Sequence, residues 1–200
     1  MRDIGAQALQ IVWRLAETDD PLGYTVTGTH LVERCTIEQC GLPRGVGRAS
    51  FALSFFGKTM TGTAGNFGPR SEWDCPVLVK DTKVNHVASG YTLKGAIMAE
   101  WRPLVELLGG EIHYDGTADR DLCHFHNNHE NMIDGTSFRG SHNIDFDFDH
   151  DFPKPWVVDV SNCQGSVPIR IFVNHPDGAG GTKQVKQFQG PVSGGVHWAV

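Results

Sequence analysis

His142-Asn143-Ile144-Asp145-Phe146-Asp147-Phe148-Asp149-His150-Asp151-Phe152-Pro153 alternates in polarity almost without a break. Successive side chains of an extended strand point to opposite faces, with same-face neighbours about 6.5 to 7 Å apart. As a strand, the stretch places His142, Ile144, Phe146, Phe148, His150 and Phe152 on one face. Asn143, Asp145, Asp147, Asp149 and Asp151 take the other. The apolar face asks for a core. The acidic face asks for water, basic partners or a bound cation. A half-buried strand with a solvated acidic face is the simpler reading. Carboxylate oxygens also suit Ca²⁺, which makes Asp145, Asp147 and Asp149 candidate ligands, although the Gly and terminal Glu of an EF-hand loop are absent.

The charge of the chain is concentrated around this strand. Residues 1–110 carry eleven basic and eleven acidic side chains, residues 111–151 two and ten, and residues 152–200 four and two. All of the excess in the net charge of −6 therefore lies in one window, which also holds six of the ten histidines. A local excess asks for a local explanation, and it argues against a nucleic-acid backbone as the ligand of that face.

Outward from the window, strands and turns dominate. The pattern predicts strands at 111–115, 122–126, 141–148, 156–160, 168–174, 184–188 and 195–200, with turn signals at Gly116, Asp134-Gly135 and residues 162–165 and 175–181. Further strands are predicted at 24–33, 49–56 and 76–80. Loops are predicted at 35–47 and 58–70. The glycines of the second loop fit neither the dinucleotide fingerprint nor the phosphate-loop spacing.

Two helices are predicted. Ile4, Ala8, Ile11, Val12 and Leu15 form an apolar stripe over 4–17. Leu93, Ile97, Trp101, Leu104 and Leu108 form another over 92–108. No internal repeat stands out. The expected fold is α+β and predominantly antiparallel, sandwich- or barrel-like, with an N-terminal helix and one central helix. It forms one domain over 1–200, with a helix-containing half (1–110) and a strand-rich half (111–200).

Residues 4–16 lack the uninterrupted apolar core of a signal peptide, and no stretch approaches the ~20 apolar residues of a membrane span. A cytoplasmic protein is the expectation, with signal-independent export left open. Cys35, Cys40, Cys75, Cys123 and Cys163 are odd in number, scattered and without a CxxC pair, which fits free thiols better than a disulfide framework. Cys35 and Cys40 would close a short loop if oxidised.

The sharpest short motif is Cys123-His124-Phe125-His126-Asn127-Asn128-His129-Glu130. On a strand, His124 and His126 share a face and can present two imidazoles to one divalent metal of the Zn, Fe or Mn type, with His129 or Glu130 as a third ligand. Asp119, Asp121 or Asp134 would accept the remaining ring N–H of a ligating histidine. The order His124, His126, Glu130, Gly135, followed by Pro191, Gly194 and His197, resembles the two motifs of the cupin family. That resemblance implies a small β-barrel with His124, His126, Glu130 and His197 around a divalent metal.

Asp149-His150-x-x-Pro153 resembles the core of HNH-type nucleases, with Asn162, or Asn174 and His175, as later members. Cys123 is a candidate nucleophile for a Cys–His hydrolase, with a distant histidine such as His150 or His197 as base. Cys163 with His175 is a second such pair. His142 and His150 are candidates for a further ligand or a general base.

The leading expectation is a metal-binding domain, extending to a metal-dependent hydrolase or cupin-like enzyme acting on a small-molecule substrate. The competing expectation is a structural, assembly or binding component with a protein partner, in which the acidic strand is a docking face or a charged edge and the chain can oligomerise. A third use of six imidazoles beside ten carboxylates is a pH sensor between about pH 7 and 5.

Overall fold

The computed structural model describes residues 9–13, 28–38, 42–43, 49–57, 75–87, 91–115 and 121–200. After β1 (Leu9–Trp13), the chain winds through three strands per turn, to which the first turn adds the short β4. β2 (His30–Glu33), β3 (Thr36–Glu38), the short β4 (Leu42–Pro43) and β5 (Ala49–Gly57) make the first turn. β6 (Val77–Lys80), β7 (Lys83–Val87) and β8 (Tyr91–Glu100) make the second. β9 (Leu104–Leu108), β10 (Glu111–Asp115) and β11 (Cys123–His126) make the third. β12 (Glu130–Asp134), β13 (Ser137–Gly140) and β14 (Ile144–Asp149) make the fourth. β15 (Val157–Ser161) and β16 (Pro168–Pro176) begin a fifth, which β17 (Thr182–Pro191) and β18 (Val196–Ala199) close.

Apart from the C-terminal β16–β17 hairpin and β15–β18 pair, each strand pairs with a strand one turn away rather than with its neighbour in the chain. Among the described residues the result is three sheets, ordered β18-β15-β12-β9-β6-β2, β13-β10-β7-β3 and β1-β5-β8-β11-β14-β16-β17, with β4 against β8. The pairings are parallel except at β4–β8, β15–β18 and β16–β17. This is a parallel β-helix, a three-sided solenoid with antiparallel strands at its C-terminal end.

The interior is built of ladders in register. Leu53, Ile97, Cys123, Ile144 and Ile169 stack across five strands of the largest sheet, all fully buried. Phe55, Ala99, Phe125, Phe146 and Ile171 form the next ladder, with the Phe125 and Phe146 rings stacked at 5.0 Å. Val77 pairs with Val105, Val105 with Asn131 and Asn131 with Val158, steps of 28, 26 and 27 residues. The chain therefore has an internal structural repeat.

One corner sets that register. Arg34, Asp81, Gly109, Gly135 and Asn162 have φ of 52°, 47°, 65°, 66° and 53°. The left-handed conformation turns the chain from one sheet to the next. Only glycine adopts it without steric cost, and Asn and Asp tolerate it better than most. The N–H of each of the first four donates to a carbonyl one turn on: Arg34 to Lys80, Asp81 to Leu108, Gly109 to Asp134 and Gly135 to Ser161, at 2.8 to 3.1 Å.

This architecture corrects the expected fold class. The expected N-terminal helix is replaced over Leu9–Trp13 by a strand parallel to β5; its remaining residues lie outside the described ones. The expected central helix is two strands, β8 and β9, separated by a corner at Trp101 (φ 59°). Residues 96–99 of β8 are buried on both faces, so the alternation of a half-buried strand is lost and the apolar run imitates a helical stripe. The sheets are mainly parallel rather than antiparallel, so neither sandwich nor barrel describes them.

Strands at Glu111–Asp115, Ala49–Gly57 and Val77–Lys80 fall where the pattern places them, whereas β7, β12 and β13 fall where it predicts no strand and β3 and β4 fall within the expected loop at 35–47. The glycine-rich loop at 58–70 and Cys40 lie outside the described residues; Cys35 is a free thiol. Among the described residues, no helix is long and apolar enough to cross a membrane.

Candidate metal centre

Because Cys123 and Phe125 face the core, His124 and His126 face outward from the largest sheet. The register then dictates their neighbours. Met98, His124, Asp145 and Arg170 lie in one row across β8, β11, β14 and β16; Glu100, His126, Asp147 and Phe172 lie in the next. Glu100, His124 and His126 converge: one ligand atom from each lies within 4.8 Å of the others. Trp101 packs edge-on to His126 at 5.5 Å, so an aromatic ring borders the pair.

Carboxylates crowd around the imidazoles. His124 Nδ1 lies 3.3 Å from Asp121 Oδ2 and 3.6 Å from Asp147 Oδ2, and His126 Nε2 lies 3.3 Å from Asp149 Oδ2. Both nitrogens are shut off from solvent, yet none of these contacts is a hydrogen bond in this conformation. Asp121 reaches the site because β8 has Gly95 beneath it: a Cβ there would lie 2.1 Å from the Asp121 carbonyl oxygen.

The acidic face of β14 is buried at Asp145 and Asp147 and only part-exposed at Asp149. Asp145 is 4% and Asp147 7% exposed. Arg170 donates to Asp145 through Nε at 2.7 Å and through Nη2, and Nη2 also donates to Asp121 at 3.0 Å. Gln184 Nε2 donates to Asp147 Oδ1 at 2.7 Å. Asp149 accepts from Asn127 Nδ2 at 2.7 Å and Asn174 Nδ2 at 3.2 Å. The three aspartates nominated for Ca²⁺ thus point to separate partners.

The electrostatics follow from five carboxylates, two imidazoles and one guanidinium. Burial pushes the Asp145 carboxyl up, to about 7; Asp121 adds to this and Arg170 opposes it. Burial also raises Asp147, against the pull of His124 and His126. Asp149 is held down at about 2, because His126, Asn127 and Asn174 outweigh its burial. Asp121 is lowered despite burial, chiefly by His124 and Asp145. Burial alone would lower His124, but Asp121, Asp147 and Glu100 raise it. The cluster carries more buried negative charge than Arg170 offsets, which favours protons or a cation.

The other nominated residues lie elsewhere. Glu130 is exposed on β12, and His197, 73% exposed, sits 3.5 Å from Asp159 on β18; both strands belong to another sheet. His129 is tied by Nδ1 to the Pro155 carbonyl at 2.9 Å. The cupin-like set is therefore not gathered. Cys123 faces the core, and burial pushes its thiol well above the usual range.

Cys163 is buried and bonded to the Ser161 carbonyl. His142 packs edge-on to Tyr114, and His150 lies beside His175 with ring centroids 5.6 Å apart. Asn162 occupies the left-handed corner and donates to Asp134. Of the suggested acceptors, Asp121 faces His124, Asp134 is engaged by Ser161 and Asn162, and Asp119 lies outside the described residues.

Sequence reasoning missed Glu100, Arg170 and Gln184. Glu100 is 26 residues from His126, one turn of the solenoid, so recognition of the repeat would have paired them. Compared with known proteins, the chain matches no family model, no curated protein and no solved structure.

Proposed function

We propose that the outer face of the largest sheet is a divalent transition-metal centre of a metal-dependent enzyme, with Glu100, His124 and His126 as protein ligands. The observation that carries the reading is the convergence of these three side chains within ligand spacing. Two imidazoles and one carboxylate on adjacent strands leave coordination positions open on the solvent side, the donor set of a catalytic rather than a closed structural site. A metal so held supplies a Lewis acid and a water of lowered pKa, which points to hydrolysis of a small-molecule substrate.

Asp147 is the group placed to hold or move a proton beside the centre. It lies 3.6 Å from His124 Nδ1 and has a raised proton affinity. Gln184 fixes one of its oxygens and leaves the other facing the imidazole.

The test is metal analysis of protein purified without a His tag and reconstituted with Zn²⁺, Fe²⁺ or Mn²⁺. One equivalent of metal is expected, falling to background in a His124→Ala/His126→Ala variant and sharply in Glu100→Gln. Absence of stoichiometric metal in the unaltered chain, or uptake indifferent to these substitutions, rejects the reading.

A further inference from the structure

We infer that the two histidines coordinate through opposite ring nitrogens, His124 through Nε2 and His126 through Nδ1, because the carboxylates of Asp121 and Asp149 face the other nitrogen of each at 3.3 Å. The inference rests on the metal reading above and adds which atoms bind and which side chains fix them. On His124, the nitrogen turned to the carboxylates is Nδ1, 3.3 Å from Asp121. On His126 it is Nε2, 3.3 Å from Asp149. A neutral imidazole has one N–H and one lone pair. Beside a carboxylate the proton sits on the facing nitrogen, which leaves the opposite one to bind metal.

The two carboxylates are themselves held. Asp121 accepts from Nη2 of Arg170, whose fork is anchored on Asp145. Asp149 accepts from Asn127 and Asn174, and its own N–H donates to Asn127 Oδ1 at 2.8 Å. Asp121 Oδ1 and both Asp149 oxygens already have donors, and among the described residues the group with ligand spacing contains Glu100 rather than either aspartate. Asp121 and Asp149 are therefore positioning residues. The two-residue step along β11 brings two rings to one centre, and the flanking carboxylates turn them in opposite senses.

The experiment uses the full chain, ¹⁵N-labelled at histidine and loaded with ¹¹³Cd²⁺ as the probe. One-bond ¹¹³Cd–¹⁵N coupling is expected at Nε2 of His124 and Nδ1 of His126. Asp121→Asn and Asp149→Asn are each expected to weaken cadmium binding by about ten- to a hundredfold while the unaltered histidine keeps its coupling. Coupling at Nδ1 of His124 or Nε2 of His126 overturns the inference and leaves the metal centre standing. Unchanged cadmium affinity in both Asn variants also overturns it. A chain that takes up no cadmium removes the metal reading and this inference together. The spectrum of the unaltered protein needs no variant to fold.

Discussion

Asp145 on β14 and Arg170 on β16 stand opposite each other in one rung of the largest sheet, and the guanidinium takes the carboxylate through both Nε and Nη2. The same Nη2 reaches Asp121, so one cation serves two buried carboxylates and ties the candidate metal centre to the strand beyond it. Removing one member of such a pair leaves the other charge stranded. That typically costs about 3 to 5 kcal/mol for a fully buried pair. Arg170 is 28% exposed, so water relieves part of the loss. Arg170→Gln is expected to destabilise the protein by about 2 kcal/mol. Asp145→Asn in the same chain should recover part of this. Urea denaturation of the two variants and the double variant measures the coupling.

The raised Asp145 carboxyl gives stability a pH dependence of defined sign. Its ordinary pKa is about 4, and in the fold it rises to about 7, chiefly through burial. The folded state therefore binds this proton more tightly than the unfolded chain. The contribution is fully present below about pH 4 and is lost as pH rises through about 7. Protein kept in chelator should show a falling midpoint of unfolding across that interval. Asp145→Asn, which carries no titrating proton, should flatten this part of the profile. An unaltered slope in the variant would assign the dependence to other groups.

Cys123 and His124 are neighbours in sequence and belong to opposite sides of the same strand. The thiol lies in the ladder with Ile97 and Ile144, and burial raises its pKa. Iodoacetamide should leave Cys123 untouched in the native protein and modify it only after unfolding. Cys123→Ala should lower stability by about 1 kcal/mol, since a small buried side chain is lost, and should leave metal uptake intact. Loss of metal binding at full stability in that variant would return Cys123 to the site.

Legibility in the sequence depended on how many faces of a strand are buried. β14 was readable because its inward Ile144, Phe146 and Phe148 alternate with aspartates. β8 was not, because Ala96 and Met98 on its outer side are buried too. β12 was hidden by Asn131, a polar residue in an inward row that is satisfied there by Asn128 and the Val157 carbonyl. The repeat was hidden because its recurring element is a backbone conformation: Arg34, Asp81, Gly109, Gly135 and Asn162 share a φ and no common side chain. The pair His124 and His126 was legible as a two-residue step on one strand. Glu100 was not, since its nearness to them is created by a full turn of the solenoid.

Gly95 tests whether the backbone of β8 builds the site. It pairs with Phe51 in the register of β5 and β8, and the Asp121 carbonyl passes directly over it. A methyl group at residue 95 would lie 2.1 Å from that oxygen and 2.4 Å from Phe51 Cε1. Both are far inside contact distance, and the first neighbour is backbone, which cannot rotate away. Gly95→Ala must therefore displace residue 121, which faces His124 and Arg170, from its position. Overpacking of this kind costs about 1 to 3 kcal/mol. Because the displaced residue is the one facing His124 Nδ1, metal affinity should fall with stability. Gly194→Ala, where the backbone is not left-handed and a Cβ would make only ordinary contact with Pro191 Cγ at 3.6 Å, controls for the backbone cost of a glycine replacement remote from the centre. Denaturation and metal titration of the two variants side by side should show metal affinity reduced in the first and unchanged in the second.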